Sequence, residues 1–288
     1  MNVGCVLLAA GAGKRFGGDG KKLFYEVGGV PMIVRALSLY GKISFAAKVC
    51  VVRTGAARIC ALAKAAGFTP AENPIADQGV GTSVSTGTMQ ALKWRPDLDG
   101  ILYGVCDQPY LSKASVLRLL DAFEKNPDRI VSLSFQGTRG NPAVFPRELY
   151  RELLALDSDI GGGAVIKRHP ELLTLVEADG ARELADIDCA RNQNIKQKNW
   201  ETLEHCAQKA GRSENEIAKL FFGVNEGDPA VLEECLDLLI YELTGSGLDD
   251  NSEPNAWGFA IEDAVALFSR MLQRANDNEN SKETGKPK

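Results

Sequence analysis

The sequence predicts an α/β fold, a mostly parallel doubly wound sheet followed by a small C-terminal all-helical module. Three observations predict it. Short apolar runs, among them "CVLLAA", "AKVCVVR" and "GILYGVC", alternate with stretches of helical spacing through the first two thirds of the chain. Those runs are nearly uninterrupted, as expected of strands covered on both faces. Beyond about residue 197 the strand signals stop and capped helical patterns follow one another.

The elements follow in order. "CVLLAA" is cut off by glycine rather than continued at helical spacing, so a buried strand runs into a turn. "PMIVRALSLYGKI" reads as a helix with proline at its first position, and "AKVCVVR" as the second strand. Helices "GAARICALAKAAG" and "VGTSVSTGTMQALKW", strand "DGILYGVCD", helix "SKASVLRLLDAFEKN" and strand "RIVSLSF" complete the alternation. This order implies right-handed crossovers, and such sheets bind ligands at the carboxyl ends of strands where strand order reverses. In the last third, Ser213 with Glu216 forms a capping-box pattern, and Asp228-Pro229 opens a helix that closes at "TGSG". "AWGFAIEDAVALFSRMLQ" reads as one more helix. The expected organisation is a domain over residues 1–196, a helical module over 197–275 and a disordered tail over 276–288.

Composition narrows the function. A chain of 288 residues, 44% apolar and 25% charged, is long enough for one large core and an appendage. Its net charge of −5 excludes nucleic-acid binding through a broad basic face, so any anion site is local. The seven cysteines, at 5, 50, 60, 106, 189, 206 and 235, form no CxxC pair, which argues against a disulfide framework or zinc ribbon and for a reducing compartment. No apolar run approaches the roughly 18–20 residues of a membrane span, and the opening strand lacks the basic flank of a signal peptide. The expectation is a cytoplasmic protein with neither membrane nor nucleic-acid partners.

Two stretches carry chemistry. In "LLAAGAGKRFGGDGKKLF", Gly11 and Gly13 let backbone N–H groups approach an anion, while Lys14, Arg15, Lys21 and Lys22 add charge suited to a triphosphate. A P-loop is excluded because Lys14 is followed by Arg15, and a dinucleotide fingerprint because Phe16 stands where its third glycine belongs. The same charges are also compatible with a solvated basic loop. In "GILYGVCDQPYLS", Asp107 follows a buried strand, a place where carboxylates hold Mg²⁺, although an Asx-turn or a helix cap accounts for it equally simply. Asp186 and Asp188 alternate in "ELADIDCA", so an extended backbone would turn both to one face, as a second metal ligand or as edge polarity. Cys106 reads as a buried small hydrophobe; His205 and Cys206 have no partner at ligand spacing; Leu220, Phe221 and Phe222 read as helix packing or a docking patch.

Together, "LLAAGAGKRFGG…KKLF", "VGGVPMI", "NPIADQGVGTSV", "GVCDQPYLS", "GTRGNPAVFP", "RHPELL" and "DIDC" resemble the MobA-like superfamily, within it the molybdenum cofactor cytidylyltransferases. The resemblance spans about residues 1–196 and does not reach the helical module. It implies a Rossmann-like nucleotidyltransferase fold and Mg²⁺-dependent transfer of CMP from CTP to the molybdopterin cofactor. It further implies nucleotide contacts from Leu8, Ala9, Ala10, Gly11, Gly13, Lys14, Arg15, Lys22, Gly79 and Ser83. Arg15, Lys22 and Asp107 are the implied catalytic residues. Asp107 is the main metal ligand, with Asp188 and Asp186 beside it; Arg139, Asn141 and His169 face the acceptor. Ala10, where guanylyl-transferring relatives usually have glycine, points to the cytidylyl branch. A client molybdenum hydroxylase or assembly factor is the partner expected for the helical module. The sequence departs from the family at "DSDIGGGAVIKRHP", where Ser158 precedes Asp159 in place of glycine, and at Cys189, where a helix-capping threonine is usual.

Overall fold

The computed structural model describes residues 1–13, 21–187, 198–248 and 254–283. Strand β1 (Val3–Leu8) opens the chain, and β2 (Glu26–Val27) and β3 (Val30–Pro31) form a short antiparallel hairpin that leads into α1 (Met32–Gly41). Pro31 closes the hairpin opposite Glu26, so the helix starts one residue later than the proline signal predicts. β4 (Ala47–Arg53), α2 (Ala57–Ala65), β5 (Thr69–Asn73), α3 (Val80–Trp94), β6 (Gly100–Val105) and α4 (Lys113–Lys125) then alternate. β7 (Ile130–Phe135) turns through Gln136 and Gly137 into β8 (Thr138–Pro146), and α5 (Tyr150–Leu154), α6 (Gly162–Arg168) and β9 (Leu173–Glu177) follow. Helices α7 (Lys198–Lys209), α8 (Glu214–Glu226), α9 (Pro229–Ser246) and α10 (Ala256–Glu283) complete the described chain.

The main sheet has seven strands in the order β5-β4-β1-β6-β8-β7-β9. All neighbours pair in parallel except at β8, which runs antiparallel to both β6 and β7. The fold is Rossmann-like, with helices covering the sheet. Val6, Val49, Val51, Ile101 and Phe145 of the sheet share one buried cluster with Val84 and Ala91 of α3. Burying this apolar surface is the main favourable term of the fold. Tyr103 brings a hydroxyl into that cluster and pairs it with Thr88 Oγ1 at 2.6 Å, which satisfies both groups away from water.

Contacts divide the chain into two compact units, residues 1–24 with 35–192, and residues 25–34 with 193–288. The second unit is therefore the helical module together with the β2–β3 hairpin. Its helices stop and start where the sequence signals them: Ser213 and Glu216 complete a reciprocal capping box, Gly227 ends α8 at φ 70°, and Asp228 accepts from the Ala230 and Val231 N–H groups ahead of Pro229. Trp200, 1% exposed, centres its core, with Phe221 and Phe268 packed edge-on at 4.4 and 5.8 Å. Leu220 and Phe221 are buried there and Phe222 is half-buried. His205 lies edge-on to Trp257 at 4.9 Å, and burial pushes the Cys206 thiol up to about 11. Helix α10 continues through residues 276–283, where the composition predicts a disordered tail; extending a formed helix costs far less than starting one. No helix of the described residues is long and apolar enough to cross a membrane.

Glu26 is the anomaly of this unit. Only 1% exposed, it accepts from the Trp200 backbone N–H through Oε1 at 3.3 Å, while Oε2 finds no partner. Burial pushes its carboxyl up to about 8, the Trp200 hydrogen bond opposing and the charge of Glu201 adding. The native state thus keeps a proton that the unfolded chain loses near 4.5, so the stability linked to this group is fully present below that pH and is lost as pH rises towards 8. Glu26→Gln, neutral throughout, is expected to gain stability over the parent progressively across that window, measured as the difference in urea midpoints. A difference that stays constant with pH would refute a buried, protonated Glu26.

Candidate functional site

Strand order reverses at β1, which pairs with β4 on one side and β6 on the other. The β1–β6 register sets Leu8 opposite Val105, so the segments that follow, Ala9–Gly13 and Cys106–Asp107, leave the sheet side by side. Ala9 N–H donates to Val51 O at 2.8 Å and fixes the direction of the glycine turn. Lys22 comes back to the same place from a 3₁₀ turn (Lys21–Phe24), and its Nζ donates to Asp107 Oδ2 at 2.6 Å. Both side chains are largely withdrawn from solvent, at 16% and 23% exposure. Gly13, at φ 57°, packs so closely on the Lys22 stem that an added Cβ would lie 3.0 Å from Lys22 Cβ.

These groups border a cavity of about 580 Å³. Leu8, Ala9, Ala10, Gly11, Gly13 and Lys22 line one side of it, with Asp107 at the strand end. Gly79 and Ser83, from the start of α3, line the other. That helix start is anchored from beneath by the buried Asn73, whose amide donates to Thr82 Oγ1 at 2.9 Å and Ser83 Oγ at 3.0 Å. From outside it is pressed by the 157–160 segment: Gly81 N–H donates to Ser158 O at 3.0 Å, and a Cβ on Gly81 would sit 2.4 Å from Asp157 O. The same packing carries Asp159 to the cavity wall, and Arg53 and Asp77, paired at 2.7 Å, complete the lining there. Sequence reasoning assigns none of these three. The departure of "DSDIGGG" from the family pattern marks Asp159 as unusual without indicating where it lies.

A second cavity, of about 370 Å³, shares Leu8, Val80 and Val105 with the first. Arg139, Asn141 and Asp186 line it, with Gln108 and Gly161–Gly163. The segment carrying Asp186 is fastened to the strand end: Ile187 N–H donates to Asp107 O at 3.2 Å, and the Gln108 amide to Leu184 O at 3.1 Å. His169 lines neither cavity. It ends α6, where its Nε2 lies 2.6 Å from Glu152 Oε1, and that helix-terminal tether explains why it does not join Arg139 and Asn141. Burial by itself would raise the Glu152 carboxyl, but hydrogen bonds from His169 and Arg168 hold it below the usual range. Lys14, Arg15 and Asp188 lie outside the described residues, as does Cys189.

The MobA-like NTP transferase domain family matches residues 5–172, more than half of the chain and every residue lining the first cavity. The chain belongs to this family. It is a nucleotidyltransferase, and the helical module lies outside the matched span. Solved structures with the same fold include the Rv0371c protein of Mycobacterium tuberculosis (22% identity, 66% of this chain and 95% of that one, TM-score 0.54). A nucleotidyl transferase from Methanothermobacter covers 65% of this chain and 92% of its own at 22% identity and TM-score 0.51. The 4-diphosphocytidyl-2C-methyl-D-erythritol synthase of Anaerococcus prevotii covers 66% and 92% at 16% identity and TM-score 0.51. No curated protein matches the chain.

In the MobA-like domain, a glycine turn, one lysine and one strand-end carboxylate line a single cleft, an arrangement suited to a polyphosphate and a hard cation together. The oxygen donors fit Mg²⁺. That ion takes one or two carboxylates plus substrate phosphates rather than a dedicated protein cage, and the described residues contain no cluster of three or more ligating side chains. Cys106, beside Asp107, is 1% exposed, and burial, then the neighbouring Cys50 and Asp107, push its thiol well up, so it stays protonated and supplies no nucleophile. Because the cavity wall depends on the missing side chain at position 81, Gly81→Ala is expected to lose roughly 1–3 kcal/mol in urea unfolding. Gly11→Ala, whose added Cβ meets nothing within 4 Å, should stay within about 0.5 kcal/mol of the parent. Equal losses in the two variants would contradict this packing.

Proposed function

We propose that the chain transfers CMP from CTP to the terminal phosphate of the molybdopterin cofactor, with Mg²⁺, forming the cytosine dinucleotide and pyrophosphate. The observation that carries this reading is Lys22 and Asp107 meeting at the mouth of a glycine turn in a MobA-like domain. The choice of acceptor is supported by "RGNPAVFP" and "RHPELL", which resemble the molybdopterin branch, and by Arg139 and Asn141 lining a cavity that adjoins the first. The choice of CTP is supported by Ala10, which lines the cavity at a position where guanylyl-transferring relatives usually have glycine.

The reaction brings two anions together. An acceptor phosphate oxygen attacks the α-phosphorus as the bond to the bridging oxygen breaks, and pyrophosphate leaves with that electron pair. Positioning and charge neutralisation are therefore the main demands on the protein. The Ala10–Gly13 turn offers N–H groups to the phosphates, and Lys22 moves from Asp107 to a phosphate oxygen to offset charge on the departing group. Asp107, freed of Lys22, would hold the metal, and Asp186, on the segment fastened to the Asp107 backbone, would be the nearest described candidate for a second ligand. When bound, Mg²⁺ supplies Lewis-acid stabilisation of the phosphoryl oxygens. Arg139 and Asn141 orient the acceptor for in-line approach.

The test is pyrophosphate release from purified protein with each of the four NTPs, Mg²⁺ and molybdopterin cofactor. CTP alone is expected to turn over. Turnover with GTP alone would overturn the choice of base, and none with any NTP would favour a non-catalytic cofactor carrier. Asp107→Asn should lower kcat on the order of a hundredfold or more with its urea midpoint intact. Full Mg²⁺-dependent activity in that variant would refute the role of Asp107.

A further inference from the structure

Gln108 follows Asp107 in the chain but lines the second cavity rather than the first. It is only 6% exposed. Its side-chain amide donates to Leu184 O at 3.1 Å, while its carbonyl oxygen Oε1 meets no hydrogen-bond donor among the described residues. The bond to Leu184 fixes which end of the amide is which, because an oxygen turned to Leu184 O would face another acceptor. Leu184 has little freedom of its own. Its side chain lies 3.0 to 3.3 Å from where a Gly140 Cβ would stand, Ser112 N–H donates to Glu183 Oε2 at 3.1 Å, and Ile187 N–H donates to Asp107 O at 3.2 Å. Gln108 therefore cannot turn Oε1 to a new partner without giving up the bond it has.

Withdrawing a carbonyl oxygen from water without a donor is unfavourable, so this one calls for a partner from outside the chain. The chamber narrows the kind of partner. Its lining is largely apolar, with Val84, Tyr103, Phe145 and Ile166, and the Tyr103 hydroxyl is already paired with Thr88. Tyr103 and Phe145 brace each other edge-on at 5.6 Å. Apolar walls with a few placed polar groups suit a flat heteroaromatic ring. An N–H within such a ring is recessed between its neighbours, whereas an exocyclic amino group stands out from the edge. The protruding donor is the one that reaches an oxygen as withdrawn as Oε1.

We propose that Gln108 is a specificity-determining residue of the second cavity: its Oε1 accepts a hydrogen bond from an exocyclic amino group on the heteroaromatic ring of the acceptor. The inference rests on the acceptor proposed above, whose pterin ring carries such a group. Fluorescence titration of the full chain with pterin, and with lumazine, in which an oxo group replaces the 2-amino group, reads this contact without nucleotide or metal. The parent is expected to bind pterin about tenfold to a hundredfold more tightly, since lumazine sets an oxygen against Oε1. Gln108→Met and Gln108→Glu both lose the amide N–H to Leu184 O, but only Gln108→Met loses the acceptor. The preference for pterin should vanish in Gln108→Met and persist in Gln108→Glu. A parent that binds the two rings equally, or a Gln108→Met protein that keeps the preference, would overturn the inference alone. Loss of the preference in both variants would trace it to the bond with Leu184, leave Gln108 a fastener of the 183–187 segment, and overturn the inference too. A parent that binds neither ring would overturn the choice of acceptor along with it.

Discussion

Leu8 and Val105 face each other where β1 and β6 end, and the site is built on that pairing. The two strands are parallel, central and buried, so their register is set by the apolar side chains of both faces rather than by a turn. A slip of one residue would turn Cys5, Leu7, Leu102 and their neighbours to the wrong face and would carry Asp107 away from the glycine turn. The geometry of the cleft is thereby tied to core packing. A carboxylate and a glycine turn meet without either loop needing to search for the other, because each begins at a strand end already fixed by the sheet.

The opposite wall has a different origin. At the start of α3 the backbone of residues 79–81 touches the backbone of 157–160, with no side chain between them. Contact of that kind leaves little room for adjustment, since moving one segment moves the other. It also places Asp159 on the first cavity and Gly161–Gly163 on the second, so one short segment lines both chambers. The place where this sequence departs from the family pattern is thus the place where the two cavities share a border.

Much of this architecture is legible in the amino-acid sequence, for physical reasons that also explain what is not. "AKVCVVR" and "VGTSVSTGTMQALKW" coincide with β4 and α3 because each shows a single periodicity ended by polar residues, and the module's helices carry their own caps. β8 is harder to read. Its first half, "TRGN", is exposed or half-buried and shows no strand pattern; the signal was the Gln136-Gly137 pair, both at positive φ, the mark of a two-residue hairpin turn. Within the site, Ala10, Gly13, Lys22 and Asp107 stand out because small residues, charge and a strand end coincide. Asp159 and Asp77 carry no such signal, since they reach the cavity through long-range packing. His169 illustrates the reverse case: a motif residue that the end of α6 ties to Glu152. The grip of Trp200 on the hairpin spans 171 positions, beyond the reach of any local pattern.

The Lys22–Asp107 pair sets a condition on any ligand of the first cavity. Two largely buried charges at 2.6 Å attract each other more strongly than a surface pair would. An anion alone satisfies Lys22 but adds repulsion at Asp107. A cation alone satisfies Asp107 but faces the ammonium of Lys22. A polyphosphate with its divalent ion satisfies both at once, replacing one buried pair with two. The pair therefore favours the combination over either component, in a protein whose overall charge of −5 gives it no general affinity for phosphates.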